Sequence, residues 1–200
     1  MQICDETPFG FGWIAPEPAM LERSSHALRT EAGVFLIDPV EVPGIHERIG
    51  ELGDVVGVIQ LLDRHGRDCW RFADRHQVPL HRTPFTGIPD SPFEVIRVLE
   101  TVMWKEVALW WPQERVLVTA DALGTPDYYR APDEKIAVSP LLRVVPPRRL
   151  RDLDPEHVLC GHGPGLHGPD AAAAVRDSID NARRRGPSWL IGQARQKLGR

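Results

Sequence analysis

Cysteine is scarce and scattered in this sequence. Cys4, Cys69 and Cys160 are the only three in 200 residues, too few and too widely spaced for a disulfide framework. Lysine is scarce as well: Lys105, Lys135 and Lys197 are three of 24 cations. The skew to arginine carries no functional reading. An excess of positive charge is also missing. The formal net charge is −4 and the isoelectric point about 6.1, which argues against a nucleic-acid partner. No apolar run approaches the ~20 residues that a membrane helix needs, so no membrane partner is expected. Met1 to Glu6 lacks a basic segment followed by an apolar one, so no secretory signal is expected. These absences predict a soluble, cytoplasmic protein, and no internal repeat is visible.

Hydrophobic residues at 42% are enough for a real core, and the length suits a single domain spanning 1–200. Ser24 to Thr30 and Gly33 to Ile37 read as two strands joined by a turn at Glu31-Ala32. The run Val34-Phe35-Leu36-Ile37 is so apolar that it predicts a strand buried on both faces. Gly44 to Leu52 has the spacing of a helix, and Val55 to Leu62 that of a buried strand. Trp70 to His76 reads as a helix and Val78 to His81 as a short strand. Phe93 to Leu99, Val102 to Trp111 and Arg115 to Thr119 read as consecutive strands, the last two joined through Pro112-Gln113-Glu114 as a hairpin. Val158 to Cys160 reads as one more strand. A helix is expected from an Asp170 N-cap through Arg185, stopped by Gly186-Pro187, with a last helical turn over Gln193 to Leu198. The alternation of strands and helices is an α/β signature.

Four polar clusters follow predicted strands, where α/β folds place their sites. They are Asp38-Pro39, Asp63 to Cys69, Asp121 and His162. The segments Gly33-Val34-Phe35-Leu36-Ile37-Asp38, Val116-Leu117-Val118-Thr119-Ala120-Asp121 and Cys160-Gly161-His162-Gly163 resemble, in order and spacing, three of five marks of the metallo-β-lactamase superfamily. The resemblance implies a four-layer αββα sandwich of mixed α+β or α/β character: two mixed sheets with helices outside. It also implies a metal-dependent hydrolase acting on a small ester, thioester, lactone or phosphoester.

The departures from the family pattern are as informative. The HxHxDH loop is replaced by Asp63-Arg64-His65-Gly66-Arg67-Asp68-Cys69, and two registers remain open. One puts Asp63 and His65 at the leading histidines, with Arg67-Asp68 at the final pair. The other puts Arg64 and Gly66 there, with Asp68-Cys69 at the final pair. The lone histidine near the hairpin is missing, and its position falls near Val102. Under the second register the resemblance implies one metal ion held by Asp68, Cys69, Asp121 and His162, a donor set suited to zinc, with iron or manganese as alternatives. Arg64 would then stand in for the other ion's charge. Asp63 or His65 would position water or act as general base. Cys69 is the doubtful ligand, since four protein ligands close a tetrahedral shell. The competing reading is a metal-free, non-catalytic relative that binds a ligand or a protein. A small-molecule substrate or ligand is expected on either reading.

Each candidate also has a structural explanation. Asp38 reads first as a strand-end residue capping backbone N–H groups. Asp68 suits the N-cap of the next helix. Cys160 suits buried packing, and His26 a satisfied structural histidine. Trp104, Trp110 and Trp111 suit a packed hairpin or an apolar pocket wall. The run Arg183 to Arg185 suits the last turn of a helix.

Overall fold

The computed structural model describes residues 2–17 and 20–198. The first sheet has six strands in sequence order: β1 (Gln2–Thr7), β2 (Gly10–Ile14), β3 (Ser24–Thr30), β4 (Gly33–Ile37), β5 (Val55–Gln60) and β6 (Leu80–Arg82). The first four run antiparallel, and β4, β5 and β6 are parallel. Two helices provide the parallel crossovers: α1 (Ile45–Leu52) between β4 and β5, and α2 (Cys69–His76) between β5 and β6. The parallel part is therefore where helices must cover the sheet.

The second half contributes β7 (Glu94–Glu100), β8 (Lys105–Trp111) and β9 (Val116–Val118), then the small pair β10 (Leu123–Gly124) and β11 (Ala137–Val138). After these come β12 (His157–Leu159), β13 (Leu166–His167), α3 (Ala171–Asn181) and α4 (Gly186–Leu198). The second sheet has the order β13-β12-β9-β8-β7, parallel between β12 and β9 and antiparallel elsewhere. Both large sheets are thus mixed, as the sandwich requires.

The apolar run in β4 explains the layering. Its side chains alternate between two cores. Phe35 and Ile37 face the larger core, shared with Val107, Leu109, Leu117 and Val118 of the second sheet. Val34 and Leu36 face the smaller core, where Ile45 and Ile49 of α1 and Phe72 of α2 cover the first sheet. Ala171, Val175 and Ile179 of α3 close the larger core. A strand with helices on one face and a sheet on the other is apolar on both faces.

Several expectations are corrected. The hairpin strand starts at Lys105 rather than Val102, because 101–103 form a bend and Val102 is 97% exposed. The expected helix from Asp170 to Arg185 ends at Asn181, and α4 starts at Gly186 instead of stopping there. Pro187 is tolerated because a first-turn residue needs no N–H donor. Asp170 makes no capping bond; it bonds Lys135 instead. The arginine run therefore links two helices, and Arg185 bonds Asp133 and Asp177. Among the described residues, no helix is long and apolar enough to cross a membrane.

Candidate metal centre

Three strand ends and one loop meet at a small polar centre. Asp38 follows β4, Asp121 follows β9 and His162 follows β12. His65 lies in the loop between β5 and α2. Parallel pairing of β12 with β9 sets Leu159 beside Val118, so the two chains leave the sheet together. Gly161 permits their close approach: a Cβ there would lie 2.7 Å from the Ala120 carbonyl oxygen. Gly163, with φ of 76°, turns the chain away after the histidine.

His65 Nε2 lies 3.0 Å from Asp121 Oδ1, and His162 Nε2 lies 3.2 Å from the same oxygen. The three atoms all fall within 4.8 Å of one another. The opposite edge of each ring is already engaged. His65 Nδ1–H donates to Asp38 Oδ2 at 2.9 Å. His162 Nδ1–H donates to the Leu21 carbonyl at 2.8 Å. A proton committed at Nδ1 leaves Nε2 as a lone pair in the neutral ring. Two lone pairs and a carboxylate oxygen therefore converge. Asp121 Oδ1 is buried without a hydrogen-bond partner, and an orphan of this kind calls for an explanation. A divalent cation satisfies all three atoms at once. Two imidazoles and one carboxylate suit zinc and first-row ions such as iron and manganese. Three protein ligands leave a position open, as catalytic metal sites do.

The electrostatics of the centre are built by burial and opposed charge. Burial pushes the Asp121 carboxyl up. Without an ion, Nε2 protons on His162 and His65 face it, outweigh that push and hold the group well below the ordinary carboxylate range; a bound ion would displace those protons. Burial and Arg67 both disfavour a charged His65, yet its contacts with Asp121 and Asp38 outweigh them and raise its pKa. Asp38 has a second bond, accepting Leu61 N–H at Oδ1. It both ties down the backbone, as its strand-end position suggested, and aims His65.

The loop before α2 corrects two expected ligands. Asp68 stands at the head of α2 but does not cap it. Its Oδ2 accepts Glu41 N–H at 2.9 Å, and its Oδ1 lies 3.4 Å from Arg71. Cys69 is 1% exposed and packs in the smaller core, with Sγ 3.7 Å from the His65 carbonyl oxygen. Burial pushes its thiol well above the ordinary range, which disfavours the thiolate that a metal needs. Neither residue joins His65, Asp121 and His162. Asp63 is exposed and stands on the wall of an adjoining cavity. Neither register of the loop describes this arrangement in full.

The guanidinium that anchors this loop is that of Arg67, not Arg64. Arg67 donates to the carbonyls of Ser24, Asp38 and Gly161, drawing the ends of β4 and β12 toward the start of β3. Arg64 stacks over Trp104, with the guanidinium carbon 4.1 Å from the ring centroid. Its Nη2 lies 3.9 Å from Asp121 Oδ2.

Two further residues border the centre without having been singled out from the sequence. Glu106 is fully buried; its Oε1 accepts Ala122 N–H and its Oε2 accepts Trp104 Nε1–H. Burial, reinforced by the Asp121 charge, pushes its pKa up to about 7. It is the lone charge in the apolar run from Glu106 to Trp111, and that was the available signal. Tyr129 stacks on His162 with ring centroids 6.0 Å apart. It comes from a polar, proline-rich stretch with no readable pattern. His26 bonds the Cys160 carbonyl with its Nε2, and His167 bonds Asp5. Neither belongs to the centre.

No protein-family model matches the sequence, and no curated protein matches it. Solved structures do match. DIM-1 metallo-β-lactamase superposes with a TM-score of 0.61 at 12% identity, over 90% of this chain and 97% of that one. A metallo-β-lactamase from Pontibacter korlensis gives a TM-score of 0.57 at 13% identity, over 90% and 99% of the two chains. TTHA1623 in a di-iron-bound form gives 0.53 at 18% identity, over 78% and 94%. The chain therefore has the metallo-β-lactamase fold, in a sequence far diverged from those structures.

Proposed function

We propose that this chain is a hydrolase working with one divalent ion, zinc in the first instance and iron or manganese as alternatives, on a small ester, thioester, lactone or phosphoester. The observation behind this reading is the pair of Nε2 atoms aimed at one orphaned carboxylate oxygen. A bound ion would supply Lewis acidity and acidify a water molecule. His65, Asp121 and His162 are its ligands in this proposal. Asp38 and the Leu21 carbonyl hold the two imidazoles in the tautomer that ligation needs. Arg64, between Asp121 and the cavity, steadies negative charge growing on a substrate oxygen. Asp63, on the same wall, positions the attacking water and takes its proton at the carboxylate as general base. The fixed charge of Arg67 beside these groups favours one ion over two, because it repels a second cation.

The test is a panel of a p-nitrophenyl ester, a thioester, a γ-lactone and a p-nitrophenyl phosphodiester, run on zinc-, iron- and manganese-loaded protein. At least one class should be hydrolysed, with loss of activity in Asp121→Asn. Metal-loaded protein that hydrolyses none of them above the level of that variant would overturn the reading.

A further inference from the structure

The cavity of about 590 Å³ beside the centre has an unusual charge balance. Arg64, Arg67, Arg82 and Lys105 line it, and Asp63 is the one acid among its described lining residues. The whole chain carries a net charge of −4, so this local excess of cations runs against the composition. The three bonds of Arg67 go to neutral carbonyl oxygens, and the Asp38 and Asp121 carboxylates offset part of its charge, which leaves Arg64, Arg82 and Lys105 as the cations offered to a ligand. Arg64 belongs to both places: it lines the cavity and lies 3.9 Å from Asp121 Oδ2. Arg64 therefore stands between a ligand in the cavity and Asp121.

The same cavity has an apolar side. Trp70, Leu80 and Val102 line it. Trp70 is 57% exposed and Val102 97% exposed. Large apolar side chains this exposed around a charged cavity suggest a ligand that covers them. The volume suits a small molecule.

We infer that this cavity binds a small organic anion, one bearing a carboxylate or phosphate group on a short apolar segment, with the anion held by Arg64, Arg82 and Lys105. The inference names the substrate class of the proposed hydrolase. It rests on that reading for the chemistry, but the binding itself needs no turnover.

The test is calorimetric titration of the full chain with hexanoate, hexyl phosphate, hexanol and inorganic phosphate. At least one of the two amphiphilic anions should bind about tenfold more tightly than hexanol and than inorganic phosphate. Preference for hexanoate or for hexyl phosphate identifies the anion. The double variant Arg82→Ala/Lys105→Ala should weaken that binding about tenfold and flatten its salt dependence, with unchanged circular dichroism. His162→Ala should bind the anion as the parent protein does. Equal binding of hexanol, or anion binding that survives the double variant at full strength, would overturn the inference. Anion binding by metal-loaded parent protein that hydrolyses none of the four substrate classes would overturn the proposed function alone. Hydrolysis of a neutral ester without anion binding would overturn the inference alone.

Discussion

Asp38 Oδ2 accepts the Nδ1 proton of His65 at 2.9 Å, and this bond turns His65 Nε2 toward Asp121. A carboxylate behind a ligating imidazole fixes its tautomer and raises its basicity, an effect typically worth about 10–100-fold in metal affinity. Asp38→Asn should lower zinc affinity by about that factor in competition with a chromogenic chelator. Unchanged affinity would mean that Asp38 only ties down the Leu61 backbone.

Cys69 leads to the opposite expectation. Its thiol is buried in the core between the first sheet and its helices, not in the metal centre. Cys69→Ala should leave metal stoichiometry unchanged. In the native parent protein, Cys69 should resist alkylation by iodoacetamide, because burial keeps it protonated. Loss of metal in Cys69→Ala, read by elemental mass spectrometry, would restore it as a ligand.

Much of this was legible, and the illegible part has a physical cause. The bounds of β3 and β4 agree with the sequence reading, because the apolar run of β4 fixes that strand and the tight turn at Glu31-Ala32 fixes its pairing with β3. Strand β1 is not legible in the sequence because Gln2–Thr7 has one large apolar residue, Ile3, and no fully buried position, so no period-2 pattern shows. Asp38, Asp121 and His162 stood out because each polar residue ends an apolar strand. The loop from Asp63 to Cys69 was not resolved by pattern alone. Its geometry depends on Arg67, which adopts a φ of 38° and anchors to three carbonyls distant in sequence. That anchoring accompanies a loop in which His65 faces Asp121 while Asp68 and Cys69 serve the start of α2. Motif matching reads linear spacing and has no access to such long-range bonds.

Arg67 is correspondingly a structural liability. Arg67→Ala would take the guanidinium from three carbonyls; Asp38 keeps the Ser25 hydroxyl and Gly161 keeps the Ser24 N–H, so the Ser24 carbonyl loses most. A loss of about 1–3 kcal/mol is expected from urea denaturation. Arg67→Lys should recover only part of it, because one ammonium cannot reproduce the planar fork. Stability within error of the parent protein would show that water replaces the guanidinium at no cost.

Glu106 should give stability a pH dependence of its own. Its folded pKa, about 7, lies above the ordinary 4.5. A raised carboxyl favours the folded state below the unfolded pKa, and that contribution fades as pH rises through the folded one. In chelator-treated protein, Tm should therefore fall between pH 5 and pH 8. Glu106→Gln should flatten the slope, by about 3 kcal/mol at most across that interval. Gln also sets an N–H against Trp104 Nε1–H, lowering stability at every pH, so the slope is the readout rather than the level. Equal slopes in the two proteins would show that Glu106 is already ionised at pH 5.

The metal centre itself is tested most directly by elemental mass spectrometry on protein purified without added metal, alongside Asp121→Ala and His162→Ala. One zinc, iron or manganese ion per chain is expected in the parent protein and none in either variant, with Tm falling on chelation only in the parent. A parent protein free of metal, which takes up no zinc on titration and whose Tm does not respond to chelation, would contradict the assignment of His65, Asp121 and His162 as ligands.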